Sequence, residues 1–150
     1  MREILFRGKR TDNGKWECGD LLSPNEFNAI PHIVYIDYLN EYGDIGEIST
    51  PVIPETVGQY TGLTDKNGVR IFEGDIVKCT DTINDFEFNA VVEFGNPNGE
   101  YNWGYQLKFI SGEESNFDIL CWVDMEETGA YIEVIGNIHD SPELLEGDTE

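Results

Sequence analysis

Apolar side chains recur at every second position along much of this chain, the pattern of strands that turn one face to a core. The clearest run sets Phe86, Phe88, Ala90, Val92 and Phe94 on one side, with Glu87, Asn89 and Glu93 on the other. Trp103, Tyr105, Leu107 and Phe109 repeat it against Gln106 and Lys108. Phe117, Ile119, Cys121 and Val123 do so between Asp118 and Asp124, which puts Trp122 on the face opposite Cys121. Ile132, Val134 and Ile138 stand against Glu133 and Asn137 as a fourth run. Each run predicts a half-buried strand.

Turn residues divide these runs. Asn96-Pro97-Asn98-Gly99 joins Phe86–Phe94 to Trp103–Phe109 as a hairpin, Pro presetting φ and Gly accepting a positive one. Asp12-Asn13-Gly14 does the same between Glu3–Arg7 and Trp16–Leu22. Asp65-Lys66-Asn67-Gly68 separates Thr56–Thr61 from Val69–Phe72, and Glu73-Gly74-Asp75 turns into Ile76–Thr80. Between Pro24 and Pro54, Ile30–Tyr38 is apolar enough for a strand, but Pro31, Gly43, Gly46, Pro51 and Pro54 break regular structure around it, so the stretch reads as an insertion or interdomain segment of undefined shape. Ser141 as N-cap, Pro142 and Glu143 predict one short helix, followed by an acidic tail. Short strands with a turn every ten residues or so define a mainly β chain, a small antiparallel barrel or sandwich.

Charge narrows the function classes. The 150 residues hold 30 acidic and 9 basic side chains, a formal charge of -21. That balance opposes direct nucleic-acid binding and docking on an anionic membrane. The sign is unevenly spread: residues 1–15 carry five bases and two acids, whereas Phe109 to Glu150 carries twelve acids and no Lys or Arg. A solvated acidic surface with a lightly basic end is the ordinary reading of this pattern, and internal complementarity or a self-association surface is the alternative. Cys18, Cys79 and Cys121 are odd in number and widely spaced, unlike a disulfide framework. Met1 through Lys9 lacks the apolar core of a signal peptide, and no run is long enough to span a bilayer. The expectation is a soluble cytoplasmic protein with reduced thiols.

Six ordered phrases carry a family resemblance: Met1-Arg2-Glu3-Ile4 with Phe6-Arg7-Gly8-Lys9; Asn13-Gly14-Lys15-Trp16 with Gly19-Asp20-Leu21; and Glu55 through Leu63. The others are Asp65 to Gly68, Phe72 to Val77, and Glu133 to Ile138 with Ser141-Pro142-Glu143-Leu144 behind it. Together they resemble the YopX family of phage and prophage proteins, from the first residue to about Leu145. Pro24–Pro54 and Asp81–Met125 hold no signature phrase. The resemblance implies a mostly β protein with an SH3-like barrel as its larger part, working in the cytoplasm of a bacterial host. It implies no activity, cofactor or catalytic residue. The domain organisation expected is an N-terminal β-hairpin region over residues 1–54, an SH3-like barrel over 55–140, and a short helix with acidic tail over 141–150.

No phrase assembles catalytic machinery. The two histidines, His32 and His139, are far apart and join the cysteines in no zinc spacing. Asp37, Asn40, Glu41, Asp44 and Glu47 miss the spacing of a calcium loop. No nucleophile elbow or phosphate-binding glycine loop is present. Gly74-Asp75 reads as a tight strand entry whose carboxylate accepts turn N–H groups, with a binding-loop carboxylate as the alternative. Gly58-Gln59-Tyr60-Thr61-Gly62 allows close backbone approach with Gln59 and Tyr60 as contact residues, or is a strand bounded by necessary turns. Gln59, Tyr60 and Trp122 are therefore the candidate protein contacts, with no catalytic, cofactor or metal residues expected.

Two roles follow. One is a non-enzymatic phage accessory protein that binds an unknown protein or its own copies. The other is an acidic DNA mimic that inhibits a DNA-binding protein. Spread over about 7,700 Å² of surface, the charge amounts to roughly one per 370 Å². Duplex DNA carries one per about 110 Å². Mimicry therefore demands that the acids cluster on one face.

Overall fold

A computed structural model describes residues 3–27, 29–95, 104–110, 116–123 and 129–146. The Asn96–Gly99 turn, Trp103, the side chain of Cys121 and the tail beyond Glu146 lie outside what it describes. Contacts divide the chain into two units, Met1–Tyr60 and Thr61–Glu150, with the division inside β5 (Gly58–Thr64).

The first unit is built on antiparallel strands in the order β4-β3-β2-β1-β5: β1 (Phe6–Lys9), β2 (Trp16–Leu22), β3 (His32–Leu39) and β4 (Ile45–Pro51) precede β5. The β1–β2 hairpin closes as its sequence predicts. Gly14 takes φ +70°, its N–H donates to the Arg10 carbonyl at 3.1 Å, and the Asn13 side chain accepts the Lys15 N–H at 2.9 Å.

Residues 24–54 are not irregular throughout. Within them β3 and β4 form a regular hairpin, pairing from His32↔Pro51 to Leu39↔Ile45 with a bulge between Ile36 and Tyr38. Pro31 and Pro51 delimit the hairpin instead of breaking it, because each stands at a strand end where no ladder N–H is needed. At its tip the Asn40 Oδ1 accepts the N–H groups of Tyr42 (3.0 Å) and Asp44 (2.9 Å), and Gly43 takes φ +82°. β2 meets β3 only from Asp20↔Val34 to Leu22↔His32. Just before that stretch stands Gly19, where an added Cβ would strike the Val34 carbonyl. After β4 the chain turns against the end of β1: Val52 bridges Arg10, and the Ile53 N–H donates to the Lys9 carbonyl at 2.8 Å. Ile33 and Val52 are fully buried, and Gly8 makes room for Val52, whose side chain a Cβ there would meet at 2.9 Å.

The second unit holds the end of β5, the short β6 (Arg70–Phe72) and a five-stranded antiparallel sheet. The sheet contains β7 (Asp75–Asp81), β8 (Phe86–Gly95), β9 (Gly104–Phe109), β10 (Asn116–Asp118) and β11 (Ala130–Asn137), ordered β10-β9-β8-β7-β11. Gly74 takes φ +91° at the entry to β7, and the Asp75 Oδ2 accepts the Phe72 N–H at 2.7 Å, the structural role foreseen for that dipeptide. Ile71, Val77, Cys79, Ala90, Val92, Leu107, Ile119, Trp122, Ala130 and Ile132 make one buried cluster. The apolar run of β8 overshoots this core, leaving Phe86 and Phe94 more than half exposed. A 3₁₀ helix at Pro142–Glu146 stands where the C-terminal helix was expected. It rests on β11 because Gly136 has no Cβ to strike Ser141.

The mainly β expectation holds as two antiparallel sheets, and among the described residues neither sheet closes as a barrel. β10 and β11 remain the outer strands, and the helix α1 (Ile119–Val123) packs against β9, β10 and β11. That helix is a correction, since the alternation from Phe117 to Val123 predicts a strand throughout. The chain leaves β10 at Asp118, whose Oδ1 accepts the Leu120 N–H at 2.8 Å in the manner of a helix cap. The three- and four-residue spacing of a helix then replaces alternation, carrying Ile119 and Trp122 into the core together.

Candidate functional site

The three sequence-predicted contact residues are mostly structural. Gln59 lies on β5 opposite Phe6 and is half-buried. Tyr60 is only 6% exposed, and its N–H donates to the Leu5 carbonyl at 2.8 Å. Trp122 is 4% exposed, stands edge-on to Phe88 at 5.2 Å, and donates its Nε1–H to the Tyr131 carbonyl at 3.2 Å. Placing Trp122 on an outer face followed from the strand reading, and the helical spacing of α1 reverses it.

Asp65 is a polar knot that alternation could not reveal. Its Oδ1 accepts the N–H groups of Asn67 (2.8 Å) and Val69 (2.9 Å), and its Oδ2 accepts that of Val134 (2.9 Å). Burial raises its pKa, but these three donors outweigh that and hold it below the usual Asp range. Next to it lies an open depression of about 590 Å³, lined by Thr64, Asp65, Lys66, Thr82, Gly129 and Tyr131 among others. Several of its polar groups are engaged locally. Lys66 pairs with Glu133 at 3.5 Å and stands 4.6 Å above the Tyr131 ring, while Thr82 donates its hydroxyl to the Gly129 carbonyl. This geometry locks a turn onto β11. Among the described residues no three His, Cys, Asp or Glu side chains converge to hold a metal ion. No described helix is long and apolar enough to cross a membrane.

Two features of the first unit stand apart from its core. On β1 and β2, Arg7 lies 4.6 Å above the Trp16 ring and the Lys9 ammonium 5.6 Å from its centre, a cation–aromatic platform. Strand pairing puts Lys9 opposite Trp16 and Arg7 opposite Cys18, so these side chains share a face. Arg10 is spent locally, bonded to Asp12 (2.9 Å) and Glu17 (3.2 Å).

The second feature is the far half of the β3–β4 hairpin. Beyond Val34, β3 has no strand partner but β4 among the described residues, so residues 35–48 form a two-stranded arm. The arm presents Ile36 (62% exposed), Leu39 (69%), Tyr42 (82%) and Ile45 (50%) to solvent. Leu39 and Ile45 are a direct cross-strand pair. A protein surface normally scatters such residues singly, so four on one arm set it apart from the rest of the unit. Alternation at Ile36 and Ile45 looks the same whether a strand is buried or bare, which is why the sequence did not single them out.

A mainly β protein with two open sheets and an apolar arm is thus the class the structure defines. The family model described as YopX protein matches residues 5–146. The chain belongs to the YopX family. The crystal structure of protein EF1440 from Enterococcus faecalis is similar in fold, with a TM-score of 0.56 at 24% identity, covering 97% of this chain and 99% of that one. No curated protein matches the chain.

Proposed function

We propose that the protein is a non-enzymatic accessory protein of a bacteriophage or prophage whose work is to bind protein, and that the β3–β4 arm is its contact surface. The observation that carries this reading is the exposure of Ile36, Leu39, Tyr42 and Ile45 on a ribbon that has no third strand among the described residues. An isolated two-stranded ribbon is marginal in water, and a third strand or a packed face gives it stability. The free side of β4 offers backbone groups to such a strand. The tip is already held by Asn40, so little ordering remains when Tyr42 meets a partner. Membership of the YopX family supports the phage setting.

Affinity capture from infected bacterial cells tests the reading, comparing the native chain with a Leu39→Ser, Tyr42→Ser, Ile45→Ser variant. A protein retained by the native chain and lost with the variant is the expected outcome. Identical retention by both chains contradicts it.

A further inference from the structure

Asn13, Asn67 and Asn98 each precede a glycine. Such a pair reacts with itself, because a glycine nitrogen with no Cβ beside it reaches the asparagine side chain unhindered. Asn98-Gly99 lies outside the described residues. The other two pairs stand in exposed turns of similar outline. Gly14 takes φ +70° and Gly68 φ +79°, and a Cβ added to either would meet nothing within 4 Å. Solvent reaches both pairs, so anchoring sets them apart.

The Asn67 turn is pinned on both sides of the reacting nitrogen. The N–H groups of Asn67 (2.8 Å) and Val69 (2.9 Å) donate to the Asp65 Oδ1, and the Gly68 N–H between them donates to the Asp65 carbonyl at 3.0 Å. The other carboxylate oxygen is fixed to β11 through Val134. An anionic Gly68 nitrogen would have to form beside that carboxylate, which disfavours it. At the β1–β2 hairpin the Thr11 N–H ties the start of the loop to the Pro51 carbonyl, but the reacting pair is held only by its loop neighbours. The Gly14 N–H donates to the Arg10 carbonyl at 3.1 Å, and the Asn13 Oδ1 accepts the Lys15 N–H at 2.9 Å. That last bond polarises the side-chain carbonyl and favours attack on its carbon.

We propose that Asn13-Gly14 is a site of spontaneous deamidation in the folded chain, and that the Asp65 knot withholds the same reaction from Asn67-Gly68. The Gly14 nitrogen gives its proton to solvent and bonds to the Asn13 side-chain carbon. The bond from that carbon to the side-chain nitrogen breaks, and ammonia leaves a cyclic imide behind. Water then adds at either imide carbonyl and opens the ring to aspartate or isoaspartate. Water is the only co-reactant. The isoaspartyl product carries one more backbone carbon inside a loop closed by the Arg10 N–H on the Lys15 carbonyl at 2.9 Å, beside the Lys9↔Trp16 pair. The modification therefore loosens the end of the β1–β2 hairpin.

Incubating the native chain at mildly alkaline pH, then mapping its peptides by mass and labelling isoaspartate with an isoaspartyl methyltransferase, follows both sites. Asn13 converts at least about tenfold faster than Asn67, because the knot must open before Asn67 reacts. In chain unfolded by guanidinium chloride the two rates converge. Asp65→Ala, with circular dichroism to check folding, speeds conversion at Asn67 and leaves Asn13 unchanged. Asp65→Ser is the milder second variant, with the same expected direction. Equal rates at the two sites of the native chain overturn the proposal. So does an Asn13 that stays intact in the native chain while the unfolded chain converts, or an Asn67 as slow in the folded Asp65 variants as in the native chain.

Discussion

Asp65 and Val134 stand 69 positions apart in the chain, yet the Asp65 Oδ2 accepts the Val134 N–H at 2.9 Å. The same carboxylate closes its own turn through Asn67 and Val69, so one side chain pins the β5–β6 connection to β11. Replacing Asp65 with Ala leaves three backbone donors without that acceptor, and the expected cost is about 3 kcal/mol. Urea unfolding of the two chains measures it.

Protonation weakens the same knot. The Asp65 pKa is lowered in the folded chain, so its contribution is complete above the unfolded value, about 3.9, and disappears as pH falls through the lower folded value. Acid also relieves repulsion among the many other carboxylates, so total stability is an impure readout. The stability difference between native chain and Asp65→Asn is the clean one. It is largest near neutrality and shrinks below about pH 4.

Trp122 is an interior residue of a short helix. Trp122→Ala removes an edge-on ring contact with Phe88 and the bond to the Tyr131 carbonyl, at an expected cost of about 3–5 kcal/mol. Trp122→Phe keeps most of the volume and loses the donor, so it costs about 1–2 kcal/mol. Thermal unfolding ranks the three chains. A Trp122→Ala chain as stable as the native one contradicts the buried placement.

Much of this fold was legible in local chemistry. Gly14, Gly68 and Gly74 all take positive φ where the turn residues required it, and β2 spans the predicted Trp16–Leu22. Less was legible where two periods fit one run. Ile119 to Val123 is apolar at every position, so alternation could be read into it, and Asp118 as a cap was the signal for a helix. Pro31 and Pro51 drew attention to interruption when their positions at strand ends were compatible with a hairpin. The candidate surface was the least legible part. Ile36, Leu39 and Ile45 look like core residues in the sequence, and only their exposure beside no third strand among the described residues sets them apart.

Thiol chemistry distinguishes the described cysteines. Cys79 is fully buried in the sheet core, and burial pushes its thiol up to about 12. Cys18 is exposed on β2. Only the thiolate reacts quickly, so a maleimide at mildly alkaline pH labels Cys18 in the native chain and reaches Cys79 only on unfolding. Peptide mass mapping reads both sites, and rapid native-state labelling of Cys79 contradicts its placement.

The most direct test of the arm as a contact surface is photo-crosslinking in living host cells. A benzoylphenylalanine replaces Tyr42 in one chain and the exposed Glu143 in another. The account predicts protein adducts, to a second copy or another protein, from the Tyr42 position and none from the Glu143 position. Adducts from Glu143 with none from Tyr42 would contradict it.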